Sequence, residues 1–171
     1  AALAAALSTP SFRPYTATDL VSVEVGGAIK NVIAIACGIV EGRTLGESAR
    51  AAVIARGLAE IARFAAALNA DPNTLMGLSG LGDLTLTCTS TASRNYSLGA
   101  ALGGGASYAE AITGKNSVAE GVTTAPAVLT RATELGVEMP ICAAVSAVIH
   151  ENAQVDDMIR EILARPLRAE A

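Results

Sequence analysis

The most continuous apolar stretch of the chain is VSVEVGGAIKNVIAIACGIV, Val21–Val40. Charged side chains interrupt it only at Glu24 and Lys30. Twenty residues of this character predict a long helix that is buried on most of its faces. Asp19 stands just ahead as its N-cap, the helix runs to about Glu41, and Gly42–Gly46 makes the following turn. The next run, ESARAAVIARGLAEIARFAAAL over Glu47–Leu68, has a different pattern. Its apolar positions recur at helical spacing, with Arg50, Arg56, Glu60 and Arg63 interleaved. That predicts an amphipathic helix whose four charged residues form a solvated face, ended by Asn69. Asp71-Pro72 then opens a short helix through Met76, with Asp as the cap and Pro in the first turn.

Downstream, the segment Gly77–Asn95 (GLSGLGDLTLTCTSTASRN) is rich in Gly, Ser and Thr and lacks strand alternation. It reads as a structured, functional loop region with short helices. Further helices are predicted over Tyr96–Leu102, Ser107–Thr113, Thr123–Leu135 with Pro126 in its first turn, Met139–Glu151 and Val155–Leu163. At the front, Ala1–Leu7 looks like the tail of an Ala-rich helix. Ser8–Pro10 breaks it, and Phe12–Thr16 is a short extended piece that suits a strand. One lone strand cannot make a sheet. Residues 1–18 therefore read as the last helix and strand of a preceding α/β domain, and 19–171 as one all-α domain. The first residue is not Met, which fits an expectation that the chain begins part-way through a longer protein.

Composition agrees with the all-α class. Hydrophobic residues make up 51% of the 171 and aromatics 3%, so the core is built from Ala, Val, Ile and Leu. The net charge is −4 and no basic run occurs, which argues against a nucleic-acid partner. Cys37, Cys88 and Cys142 are widely spaced and odd in number, which reads as reduced thiols in a cytoplasmic protein. His150 is the single histidine. It excludes a multi-His metal site and reads as a cap or surface residue. Met76 and Met139 look like core filler. Val21–Val40 is long enough to cross a bilayer, but Glu24 and Lys30 lie inside it, which favours a buried helix over stable membrane insertion.

Four places can carry chemistry. Lys30 is a charge in an apolar helix, and such a lysine snorkels to water, pairs with an anion or transfers protons. Gly26 and Gly27 lie one turn before it and leave room for something to approach the ammonium. Gly80-Leu81-Gly82-Asp83-Leu84 would let the Asp83 carboxylate enter a crowded site, or Asp83 simply caps a short helix over Leu84–Cys88. It is not a dinucleotide fingerprint, since no window matches G-x-G-x-x-G. Ser93-Arg94-Asn95 precedes a helix, where free N–H groups and a guanidinium fork suit a phosphate. In Val118-Ala119-Glu120-Gly121 the acid stands ahead of a Gly turn, and on composition alone a solvated loop acid describes it.

Read together, VEVGGAIKNVIAIACGI, GLSGLGDLTLTCTSTASRN and SVAEGVTTAPAV resemble the C-terminal, substrate-binding domain of bacterial NAD(P)-dependent glycerol-3-phosphate dehydrogenases. The resemblance covers nearly all of residues 12–165. It implies an all-helical fold similar to the 6-phosphogluconate dehydrogenase C-terminal domain. It also implies a preceding Rossmann domain that binds NAD or NADP and of which only residues 1–18 remain here. By position, the family's proton donor and acceptor falls on Lys30 and its substrate-site aspartate on Asp83. The residues holding the phosphorylated substrate fall on Ser93, Arg94 and Asn95, with Thr87 lining the same pocket. Cofactor contacts fall on Arg94, Val118 and Glu120. The implied reaction is reduction of dihydroxyacetone phosphate to glycerol 3-phosphate, a glycerolipid precursor, with no metal, and the isolated fragment is expected to be inactive. Two alternatives stay open. One is a related β-hydroxyacid-type dehydrogenase domain with another substrate. The other is a non-catalytic helical association module, and in either case the apolar helices could form a homodimer. Convergence of Lys30, Asp83 and Arg94 on one cleft separates the enzyme readings from the last.

Overall fold

The computed structural model describes residues 2–114 and 119–166. In chain order the helices are α1 (Ala2–Leu7), α2 (Leu20–Gly42), α3 (Glu47–Ala67), a 3₁₀ turn (Pro72–Met76), a π turn (Leu78–Gly82), α4 (Asp83–Thr89) and α5 (Arg94–Gly103). They continue as α6 (Tyr108–Ile112), α7 (Glu120–Leu135), α8 (Pro140–His150) and α9 (Val155–Leu163). The all-α class follows directly, and no strand forms among the described residues. Phe12–Thr16, expected as a strand, contributes only one end of an isolated antiparallel bridge, Thr9 to Phe12. A strand needs a partner for its backbone N–H and C=O groups, and here the segment finds one residue pair. Phe12 and Tyr15 remain exposed, and α1 buries none of its residues.

The fold is organised around α2, which packs against α3, α4, α5, α7 and α8. Val32, Ile33, Ala34, Ile35 and Cys37 are sealed from solvent, as the nearly unbroken apolar pattern requires. By length and hydropathy α2 could cross a membrane, but two-thirds of its apolar window is buried inside this domain. Asp19 caps it: Oδ1 accepts from Ser22 N at 3.0 Å and Oδ2 from Asp71 N at 2.9 Å, tying the helix start to the 3₁₀ turn. The hydrogen bonds from Ser22 hold the Asp19 carboxyl down at about 2.

Two glycine pairs let α2 and α5 approach until their backbones touch. Gly38 and Gly42 on α2 face Gly99 and Gly103 on α5. A Cβ at Gly38 would overlap the Tyr96 carbonyl, and one at Gly99 would overlap the Ile35 carbonyl. Spacing of four residues puts each pair on one helix face, so the seam runs straight.

Several sequence expectations change. Glu60, placed on a solvated face, is 1% exposed. Its Oε1 accepts from Ile141 N at 2.7 Å and its Oε2 from Cys142 N at 3.3 Å. Helix α8 opens with Pro140, which has no N–H, and the next two N–H groups lack partners within the helix. The carboxylate reaching over from α3 satisfies them. Burial pushes the Glu60 carboxyl up while these two bonds pull against the shift. Arg56 and Arg63 are exposed as expected. The Arg50 guanidinium instead reaches the buried Tyr96 hydroxyl at 3.1 Å and Glu41 at 3.2 Å. Met139 is buried, but Met76 is 61% exposed and fills no core.

Helix α7 starts at Glu120, earlier than the pattern suggested, so Pro126 lies inside the helix and not in its first turn. The proline ring leaves the Val122 carbonyl without its usual N–H partner. His150 Nε2 donates to that carbonyl at 3.0 Å. The single histidine is thus a strut between α8 and α7.

Candidate active site

Lys30 projects from the middle of α2, and Asp83 is the first residue of α4. Their side chains form an ion pair through Nζ and Oδ2, with 21% and 35% of their surfaces exposed. Asp83 has helical backbone angles, φ −70° and ψ −36°. It is therefore not the cap of α4, and its carboxylate is directed to Lys30. The glycine-rich approach makes this reach achievable. Gly80 lies so close to the 3₁₀ turn that a Cβ there would overlap the Leu75 carbonyl. Thr87 Oγ1 donates to the Asp83 carbonyl at 2.6 Å, with Asp83 Oδ1 3.4 Å away.

The two glycines before Lys30 have different jobs. A Cβ on Gly26 would stand 3.1 Å from Leu75 Cδ2, so Gly26 is a packing contact. A Cβ on Gly27 would meet nothing within 4 Å. Gly27 precedes Lys30 by three residues and lies on the same helix face, so open space adjoins the ammonium there.

Beside this pair lies a closed ring of polar contacts centred on Asn31. Asn31 Nδ2 donates to Glu120 Oε2 and to the Gly27 carbonyl, both at 3.3 Å. Asn95 Nδ2 donates to Asn31 Oδ1 at 3.0 Å, and Gly121 N donates to Asn95 Oδ1 at 2.9 Å. Arg94 Nη2 closes the ring on Glu120 Oε1 at 3.1 Å. Helices α2, α5 and α7 are thereby joined through Asn31, Arg94-Asn95 and Glu120-Gly121. Ser93 caps α5, its Oγ accepting from Tyr96 N at 3.3 Å.

The structure thus sets the site residues in two groups anchored on consecutive positions of α2: Asp83 and Thr87 with Lys30, and Arg94, Asn95 and Glu120 with Asn31, while Ser93 caps the helix that carries Arg94. Val118 lies outside the described residues. Glu120 is not a loop acid but the first residue of α7. Asn95 is 5% exposed with both ends of its amide engaged, which suits it to positioning the ring more than to touching a ligand. Asn31 was missed in the sequence. Its one sequence signal is a neutral amide in an apolar helix, directly after the charged Lys30. A recess of about 260 Å³ also opens at the far end of α2, lined by Arg43, Ser107, Tyr108 and Gln154 among others, and none of these site residues borders it.

Chemically, the cluster offers an ammonium oriented by a carboxylate, an accessible guanidinium and a helix start, with open space beside Gly27. The family model described as NAD-dependent glycerol-3-phosphate dehydrogenase C-terminus matches residues 19–160. The chain belongs to this family. The matched span begins at the cap of α2 and includes every member of the ring.

The chain is 57% identical over 170 residues to the glycerol-3-phosphate dehydrogenase (NAD(P)+) of Caulobacter vibrioides, covering 99% of itself and 51% of that relative. Against the Methylobacterium radiotolerans enzyme of the same name the identity is 59%, with the same coverages. Among solved structures, the glycerol-3-phosphate dehydrogenase of Coxiella burnetii superposes with a TM-score of 0.90 at 40% identity, over 96% of this chain and 50% of that one. The chain spans about half the length of the curated relatives it matches.

Proposed function

We propose that this chain is the substrate-binding and proton-transfer half of an NAD(P)-dependent sn-glycerol-3-phosphate dehydrogenase acting in the cytoplasm. The observation that carries the reading is the Lys30–Asp83 ion pair standing beside the ring that holds Arg94. Reduction of dihydroxyacetone phosphate places a hydride on the carbonyl carbon and a proton on its oxygen. Lys30 donates a hydrogen bond to that oxygen and passes its proton as negative charge develops there. In the reverse direction the amine takes the hydroxyl proton. Asp83 holds Lys30 in place and accepts from the neighbouring substrate hydroxyl. Arg94 and the free N–H groups at the start of α5 grip the phosphate, which fixes the carbonyl carbon for reaction.

A nicotinamide cofactor supplies or accepts the hydride when bound. Arg94 and Glu120 suit its edge, since both stand more than half exposed beside the cluster. Val118 joins them by resemblance. The relatives are about twice as long as this chain, and the reading assigns most of the cofactor's grip to that additional length.

The test compares dihydroxyacetone phosphate with dihydroxyacetone in the natural protein that carries this sequence. Arg94→Ala should lower kcat/KM for the phosphorylated substrate by about 10- to 100-fold, the range of a lost charge-assisted bond. Equal use of both substrates, or an Arg94→Ala variant with native kinetics, would favour the β-hydroxyacid-type alternative.

A further inference from the structure

The Arg94–Glu120 pair is made for exchange. Its side chains are 55% and 62% exposed and touch through one nitrogen and one oxygen. Exposed single-contact pairs of this kind are weak. Yet the carboxylate is not free to wander. Its second oxygen accepts from Asn31 Nδ2, and Asn31 is fixed in turn by Asn95. The backbone beneath it is pinned as well. Gly121 N is bonded to Asn95, and a Cβ at Gly121 would stand 2.7 Å from the Asn31 carbonyl oxygen. A weak contact is thus held in register by a rigid support.

We propose that Glu120 is a placeholder anion: it occupies the Arg94 guanidinium while no phosphate is bound and yields it to an incoming phosphomonoester. The inference rests on the reading of Arg94 as the phosphate-gripping residue. A phosphate dianion brings more charge and more acceptor oxygens than the carboxylate it replaces, so the exchange runs forward. A ligand with a single carboxylate only swaps like for like. After the exchange Glu120 remains tied through Asn31, with one oxygen released to accept a bond from whatever lies alongside. Glu120 therefore weakens phosphate binding by the strength of the displaced pair and keeps Arg94 in place between turnovers.

Calorimetric titration of the natural protein with glycerol 3-phosphate and, separately, with inorganic phosphate tests this. Glu120→Gln retains an acceptor for Asn31 and removes the competing charge. It should tighten both ligands by about fivefold, the upper range for losing an exposed competing pair. If Arg94→Ala weakens both ligands while Glu120→Gln leaves them unchanged or weaker, the placeholder role is overturned and the phosphate grip stands. If Glu120→Gln tightens glycerol 3-phosphate but not inorganic phosphate, the gain arises elsewhere and the exchange is again overturned. If Arg94→Ala changes neither ligand, the phosphate-gripping role itself fails, and the placeholder with it.

Discussion

Glu60 and Glu120 read alike in the sequence, as acids facing water, yet the structure puts them to opposite uses. Glu60 is 1% exposed and takes two backbone N–H groups of α8. Glu120 is 62% exposed and takes side-chain donors, Asn31 and Arg94. A buried carboxylate on backbone donors has no competitor, so it fixes the packing of α3 on α8. An exposed carboxylate on side-chain donors can be replaced by another anion. Burial and the nature of the donor decide which acid is structural and which is available to chemistry.

The comparison breaks most readily at Glu60. Glu60→Ala leaves two buried N–H groups without acceptors and opens a void, so a loss of about 3–5 kcal/mol is expected in urea unfolding. Loss of stability comparable to that of Glu120→Ala, itself expected within about 0.5 kcal/mol of native, would erase the distinction. Next in size is the glycine seam. Gly99→Ala forces a methyl against the Ile35 carbonyl and should cost about 1–3 kcal/mol.

A smaller effect separates a structural polar contact outside the core from the ring. His150→Ala should cost about 1 kcal/mol by orphaning the Val122 carbonyl. In a Pro126→Ala background the restored N–H reaches that carbonyl, so the cost should fall towards zero. An undiminished cost there would mean that His150 acts by another route.

The smallest effect is in pH dependence, where two acids should differ in sign. The Asp19 carboxyl is held down at about 2, so its stabilisation is present above its ordinary value near 4 and disappears as the pH falls towards 2. The Tm advantage over Asp19→Asn should shrink across that window. Glu60 is pushed up by burial, so its contribution is full below its ordinary value and declines as the pH rises through the raised one. Relative to Glu60→Gln, the native chain should lose ground in that direction.

Much of this architecture was legible in the chain. The run Val21–Val40 announced a buried helix because burial on most sides demands apolar residues nearly everywhere. Asp19 and Asn69 marked helix boundaries because caps and left-handed turns restrict residue type. Lys30, Asp83 and Arg94 stood out as charges in small-residue or apolar surroundings, and the family resemblance grouped them. Asn31 and Glu60 were not legible in the same way. Their roles depend on which element packs opposite them, and a helix pattern reports a face without naming its neighbour. His150 and Pro126 are the same kind of case, since one supplies what the other removes and only the packing of α8 on α7 joins them. Phe12–Thr16 shows the converse: its residues suit a strand, but strand structure belongs to a pair of segments.

The most direct test of the central claim is steady-state turnover together with ligand binding for Lys30→Ala in the natural protein. If Lys30 transfers the proton, kcat falls by about 10²- to 10⁴-fold, the usual contribution of a positioned proton-transfer group. Glycerol 3-phosphate, held through Arg94, then still binds within about tenfold of native. A native kcat, or a loss confined to binding, would contradict that role.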